Sequence, residues 1–136
     1  MHMFTRQIVG EAIVVTLKIQ SLDAQNVRHV VNGVAAAMLG AERIVVDFGA
    51  LQYFDVGGFG AILFWAQGGP QKADVRMCSG SRTVRALFEL LRAQTVVPLY
   101  KNREEAMASF ARVERRPSES KPVRIDDSSL PGQRIA

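Results

Sequence analysis

The chain has 136 residues, 48% of them hydrophobic and 22% charged, which fits one globular domain and excludes a wholly disordered chain. Its net charge of +4 comes from basic residues interleaved with acids rather than gathered in one block, so the composition does not point to nucleic acid. No stretch reaches the roughly 18 apolar residues of a membrane span, the opening MHMFTRQIVGEAIVV lacks a signal-peptide layout, and a lone cysteine, Cys78, excludes an internal disulfide. The chain therefore reads as cytoplasmic.

In chain order, Phe4 to Val9 and Ala12 to Leu17 are β-branched runs divided by Gly10-Glu11, a pattern that predicts a hairpin. Ser21 or Asp23 is placed to cap a helix carrying Val27, Val30, Val31, Val34 and Met38 on one face, ended by Gly40. The consecutive Ile44, Val45 and Val46 in the run Arg43 to Phe48 predict a central strand covered on both faces.

Leu51 to Phe54 leads into a helix starting near Asp55 and stopping at Gly68-Gly69-Pro70. Asp74 to Cys78 reads as a further strand, and Ser81 as the cap of a helix that buries Val84, Leu87, Phe88 and Leu91 and turns Arg82, Arg85, Glu89 and Arg92 to water. Val96 to Tyr100 supplies a last strand. Asn102 with Glu105 has the form of a capping box for a final helix through Phe110.

From about Arg112 the composition turns to charge, serine and proline, with too little apolar area to offset the entropy of ordering, so residues 112–136 are expected to form a disordered tail behind a domain spanning 1–111. An initial hairpin followed by alternating strands and helices predicts an α/β fold, a mixed sheet of about five strands with helices packed on it.

The stretch YFDVGGFGAILFW, Tyr53 to Trp65, carries the functional question. Gly58 and Gly60 begin a dinucleotide fingerprint, but its third glycine position is Leu63, and no GxxxxGK[ST] loop exists anywhere in the chain. Asp55 has the ordinary role of a helix cap, and Asp47 that of a strand end. His2 and His29 have no companions at metal-ligand or triad spacing, and Cys78 in an apolar strand reads as an inert thiol. Nothing assembles a reaction, a cofactor site or a metal site.

A contact surface is the remaining reading. Helical rotation from Asp55 to Gln67 is expected to bury Phe59, Ile62, Leu63 and Ala66 and to present Gly57, Gly60, Ala61 and Phe64, with Trp65 at the edge of that face. Small residues let another backbone approach closely, and exposed aromatics provide apolar contact.

IVVDFGALQYFDVGGFGAILFWAQ, followed by ADVRMCSGSRTVRALFELLRAQTVVPLYKNREEAMASF, resembles the STAS domain, the family of bacterial anti-sigma factor antagonists and of the cytoplasmic domains of sulfate transporters. The likeness runs from about Phe4 to Ala111 and rests on the strand ending in Asp47, the turn at Asp55, Gly58 and Gly60, and the helix-strand-helix finish. It implies a non-enzymatic partner-binding domain of the STAS-like fold, and together with the face read from helical rotation it gives a contact site at Asp55, Val56, Gly57, Gly58, Gly60, Ala61, Phe64 and Trp65, of which Phe64 and Trp65 depart from the small or polar residues of the relatives.

In partner-switching members of the family, a kinase-type anti-sigma factor phosphorylates a serine or threonine directly after that aspartate, adding about two negative charges that spoil the contact. Here the phosphoacceptor position is Val56 and the next residue is Gly57, so the resemblance implies an unswitched, contact-ready surface. The family's glycine before the first helix is also replaced, by Gln20. The implied partner is a kinase-type anti-sigma factor or a transporter subunit, as in the small subunit of lipid-transport assemblies. A nucleotide or lipid bound near the helix start is a further reading, a homo-oligomer stays open, and phosphate on Ser79, Ser81 or the tail serines Ser118, Ser120, Ser128 and Ser129 would mark a relocated switch.

Overall fold

Alternation of short β-branched runs with capped helical segments builds one five-stranded sheet and four helices. The structure, a computed structural model, describes residues 3–114, with side chains through 110. Strand β1 (Phe4–Val9) pairs antiparallel with β2 (Ala12–Leu17) across a turn in which Gly10 takes a φ of 60°, which glycine adopts without strain. The sheet continues through β4 (Arg43–Asp47), β6 (Asp74–Cys78) and β7 (Leu99–Tyr100), all parallel to β2, in the order β1-β2-β4-β6-β7.

The expected central strand is thus β4, in the middle of the sheet, with Ile44, Val45 and Val46 all buried. Two-residue strands β3 (Ser21–Leu22) and β5 (Tyr53–Phe54) pair with each other in a separate parallel ribbon.

Helices α1 (Val27–Met38), α2 (Val56–Ala66) and α3 (Arg82–Leu90) connect the parallel strands. One core joins them to the sheet: Val30 and Val34 of α1, Ile62 and Trp65 of α2, and Val84 and Phe88 of α3 cluster with Ile13, Val15, Ile44, Val46 and Met77. Burying a large aliphatic or aromatic side chain contributes about 1.5–3 kcal/mol. The ring of Phe88 meets Phe48 and Phe54 edge-on at centroid distances of 6.4 and 5.8 Å.

Three local expectations are corrected. Helix α1 begins after Asn26, which makes no side-chain cap bond, because Ser21 is drawn into β3 and Asp23 closes the preceding turn by accepting the Gln25 N–H. Leu91 is half-exposed rather than buried, since α3 ends at Leu90 and the chain turns at Arg92 with a φ of 55°. The last strand is only Leu99–Tyr100, because residues Ala93–Thr95 form a 3-10 turn that leaves Val96 exposed and Val97 buried.

The described residues divide into two units between Ala106 and Met107. Helix α4 (Arg103–Glu114) starts in the first, where Asn102 accepts the Glu105 N–H at 2.8 Å as the capping pattern requires. Of the second unit, residues 107–114 are helical, and residues 115–136, with the four tail serines, lie outside the described residues.

At its start α4 is held by a polar clasp. Asp47 ends β4 at 7% exposure, and its Oδ2 accepts from Arg103 Nε at 2.6 Å while its Oδ1 accepts the Gly49 N–H at 2.8 Å. Arg103 Nη2 also donates to Thr16 Oγ1 at 2.6 Å, so one guanidinium spans β2 and β4.

Candidate functional site: the first turn of helix α2

The loop into α2 is built by Asp55, the N-cap residue. Its Oδ1 accepts the Gly58 N–H at 3.0 Å, and its Oδ2 accepts the Ala24 N–H at 3.1 Å from the turn before α1. The Asp55 N–H in turn donates to the Leu22 carbonyl at 3.3 Å. One side chain therefore caps a helix and staples it to a segment 31 residues earlier. The Gly58 N–H, and then that of Ala24, hold the Asp55 carboxyl below the usual carboxylate range, so it is a fixed anion rather than a proton carrier.

Gly58 is required by packing. A Cβ there would lie 2.0 Å from the Leu22 carbonyl oxygen and 2.9 Å from Phe54 Cβ. Gly60 differs, since its Cβ would meet nothing within 4 Å. Gly57 would make only ordinary contacts, the nearest at 3.4 Å to Asp55 Oδ1. Fold geometry explains one of the three glycines in α2.

The exposed face of α2 runs through Val56, Gly57, Gly60 and Phe64. Val56 is 88% exposed and Phe64 40%, so the ridge begins and ends on apolar side chains with glycine between them. This face includes four of the eight residues expected at the contact site. Asp55 is partly exposed beside them, while Gly58, Ala61 and Trp65 are buried and do not contribute to this face.

Trp65 is the main correction, being 0% exposed and part of the core. The buried stripe is Gly58, Ala61, Ile62 and Trp65, rotated by one residue from the expected Phe59, Ile62, Leu63 and Ala66. The cause is the tight seat of Gly58 on Leu22, which fixes the helix rotation at its first turn and carries the i+3, i+4 and i+7 positions inward. Phe59 and Leu63 flank that stripe, partly buried.

Beside this face lies a groove of about 240 Å³ between the start of α2 and α3, lined by Tyr53, Val56, Phe59, Leu87, Leu90 and Leu91 among others. Leu90 is 79% exposed, Tyr53 49% and Leu91 47%. Sequence reasoning missed the contribution of α3. Its one available signal was the pair Leu90-Leu91 directly before the helix ends, where both cannot share the buried stripe of Val84 and Phe88.

The other candidate residues stand apart from this face. His29 is exposed on α1, and Cys78 is fully buried in β6, where burial pushes its thiol up to about 11. Ser81 caps α3 by accepting the Val84 N–H at 3.1 Å, and Ser79 Oγ contacts Cys78 Sγ at 3.5 Å. Among the described residues no group of three or more His, Cys, Asp and Glu side chains could hold a metal ion, and no helix is long and apolar enough to cross a membrane.

Comparison with known proteins agrees with this architecture. The family model described as "Mlab, STAS domain" matches residues 4–98. A search of curated proteins returned no significant match. Among solved structures, an anti-sigma factor antagonist (STAS) domain protein from Planctomyces limnophilus is 17% identical, with 78% of this chain and 95% of that one covered and a TM-score of 0.67. The Bacillus cell fate determinant SpoIIAA in its phosphorylated form is 21% identical over 79% of this chain and 98% of its own, with a TM-score of 0.55. A sulfate transporter family protein from Wolinella succinogenes is 9% identical over 79% and 89%, with a TM-score of 0.62.

Those identities establish a shared fold, and the family model covers more than half of the sequence. The chain belongs to the STAS domain family.

Proposed function

We propose that this chain is a non-enzymatic protein-docking module that resembles an anti-sigma factor antagonist and works without the phosphorylation off-switch. The observation that carries this reading is Val56, the first residue of α2, 88% exposed and without a hydroxyl. A phosphoryl group needs a nucleophilic side-chain atom, which neither Val56 nor Gly57 provides. The SpoIIAA relative exists in a phosphorylated form, whereas the start of α2 here carries no hydroxyl at Val56 or Gly57.

Burying such a tip is favourable only against a complementary surface, and a large exposed aliphatic group next to a glycine shelf favours a protein contact over catalysis. Asp55, which would be the only acid at the site, is already engaged by two N–H donors. The partner classes are a kinase-type anti-sigma factor and a transporter or lipid-transport assembly in which the domain is a constitutive subunit. The likeness to a sulfate transporter family protein favours keeping the second class. A cytoplasmic location belongs to the same reading.

The test is quantitative co-purification of the tagged full chain from its host, comparing wild type, Val56→Glu and the remote control Leu39→Glu, whose parent side chain is 67% exposed at the end of α1. A stoichiometric protein retained by wild type and by Leu39→Glu but lost by Val56→Glu supports the module. A nucleotide or lipid retained in its place, with no protein, overturns it in favour of small-ligand binding.

A further inference from the structure

The two edges of the main sheet are built differently. Strand β7 is two residues long and follows Pro98, features that discourage another strand from adding there. Strand β1 has six residues, FTRQIV, with no proline or lysine, and its register with β2 runs without a bulge from Phe4 opposite Leu17 to Val9 opposite Ala12. Thr5 to Val9 are all exposed, although the strand beside them is almost wholly buried. Ile8 alone is 67% exposed.

The free side of β1 carries a regular row of backbone groups. The Lys18 N–H donates to the Met3 carbonyl at 2.7 Å, which makes these two a hydrogen-bonded pair in the register that β1 continues. Such pairs alternate along an antiparallel ladder, so Thr5, Gln7 and Val9 turn their N–H and C=O groups to β2, while Phe4, Arg6 and Ile8 turn theirs to the open edge. The one charge on the strand does not guard that edge. Arg6 Nε donates to the Ala37 carbonyl of α1 at 3.0 Å, which holds the side chain over the helical face of the sheet.

We infer that a second copy of this chain adds its own β1 to this edge, antiparallel about a two-fold axis at Gln7, so that the two sheets join into one. Centres at Arg6 and at Gln7 each pair most of the strand with itself. An Arg6 centre sets two like charges directly opposite each other, which is destabilising. A Gln7 centre instead pairs Arg6 with Ile8 of the second copy and Ile8 with its Arg6, which satisfies their outward N–H and C=O groups and lays an arginine stem over each exposed isoleucine. Thr5 then meets Val9 on the other face. Charge agrees with this pairing, because Glu11 is exposed at the hairpin tip and Lys18 at the open end, so the antiparallel arrangement brings each acid level with the other copy's lysine. The backbone row alone would accept any strand, and the end charges with the fit of Arg6 on Ile8 select another copy. This surface is separate from the start of α2.

The experiment is sedimentation of the full chain over a range of concentration, joined to oxidative cross-linking of single substitutions. Wild type is expected to dimerise as concentration rises. Gln7→Cys is expected to form an intermolecular disulfide under mild oxidant, because residues that face each other at a non-hydrogen-bonded pair have Cα atoms about 4.5 Å apart, within the span of about 4.4–6.8 Å that a disulfide bridges. Thr5→Cys is expected to stay unlinked, its two copies lying roughly 13 Å apart in that register. Cys78 is fully buried and takes no part. Ile8→Pro removes an outward N–H and spares the ladder to β2, and Gln7→Lys sets two like charges at the axis. Each is expected to weaken the dimer at least about tenfold, with Trp65 emission unchanged as the fold control. Glu11→Lys is expected to weaken it as well, and the addition of Lys18→Glu to restore it.

A chain that stays monomeric up to about 1 mM would overturn the inference, as would a dimer that Gln7→Lys leaves intact. A disulfide through Thr5→Cys in place of Gln7→Cys would overturn the axis at Gln7. A dimer lost in Val56→Glu would overturn the inference by placing the contact at α2. A foreign protein retained by a monomeric wild type and lost in Ile8→Pro would overturn it by giving the edge to another strand.

Discussion

Gly58 and Leu22 touch so closely that a Cβ on the glycine would fall 2.0 Å from the leucine carbonyl oxygen. That contact joins the start of α2 to β3 and fixes which faces of the helix are buried. Gly58→Ala must push two backbone segments apart, and it is expected to destabilise the fold by about 2–4 kcal/mol, read as a lowered urea midpoint at unchanged slope. Gly60→Ala is the contrasting case, with open space around it, and is expected to stabilise by about 0.5–1 kcal/mol in the same measurement. If the two substitutions had equal effects, the seat of Gly58 would not set the helix.

Trp65 is the largest fully buried side chain and the single tryptophan. Trp65→Ala is expected to cost about 3–5 kcal/mol, the range for truncating a buried aromatic ring. Its indole emission in the native chain is expected to be blue-shifted and poorly quenched by acrylamide. Efficient quenching in the folded state would return this residue to the surface.

The Asp55 carboxylate accepts two N–H groups, which stabilise its charged form in the folded state. A group whose folded pKa lies below its unfolded value adds stability above the unfolded value, and that contribution fades as pH falls through the folded one. The stability gap between wild type and Asp55→Asn is therefore expected to be constant above about pH 5 and to shrink progressively below the ordinary aspartate value near 3.8. Parallel curves through acid pH would show that this carboxylate does not staple α2 to the Ala24 segment.

Arg103 holds Asp47 and Thr16 together where α4 begins. Removing it strands a largely buried carboxylate, although the arginine itself is 37% exposed and so partly screened. Arg103→Met is expected to destabilise by roughly 1–3 kcal/mol, with the loss reduced when Asp47→Asn is added, as a double-mutant cycle of urea melts would measure. Additive losses would mean that the two side chains act independently.

Much of this architecture is legible in the order of residues. The hairpin, the central strand and the caps at Asp55, Ser81 and Asn102 depend on local chemistry, such as a glycine turn, a run of β-branched residues or an oxygen three residues before an N–H. The face of α2 is a different matter. Its eleven residues, VGGFGAILFWA, contain no charge, so periodicity offers no polar side to orient the helix. Rotation is decided by Gly58 against Leu22, a contact across 36 positions that no local pattern encodes.

The same holds for the pairing of Ser21–Leu22 with Tyr53–Phe54 and for the Arg103 clasp, both set by distant partners. Of the residues expected to face a partner, Val56, Gly57, Gly60 and Phe64 are exposed, whereas Gly58, Ala61 and Trp65 are buried. The leucines of α3 became visible only once the groove was formed.

The central claim is that the apolar, unphosphorylatable start of α2 is the docking tip. It is tested most directly by the affinity of the co-purified partner for wild type and for Val56→Glu, measured by calorimetry beside a thermal melt of each free protein. A carboxylate in the first turn of a helix complements its dipole, so the substitution is expected to leave stability unchanged or slightly raised while weakening binding at least about tenfold. Undiminished affinity in the folded Val56→Glu chain would contradict the claim.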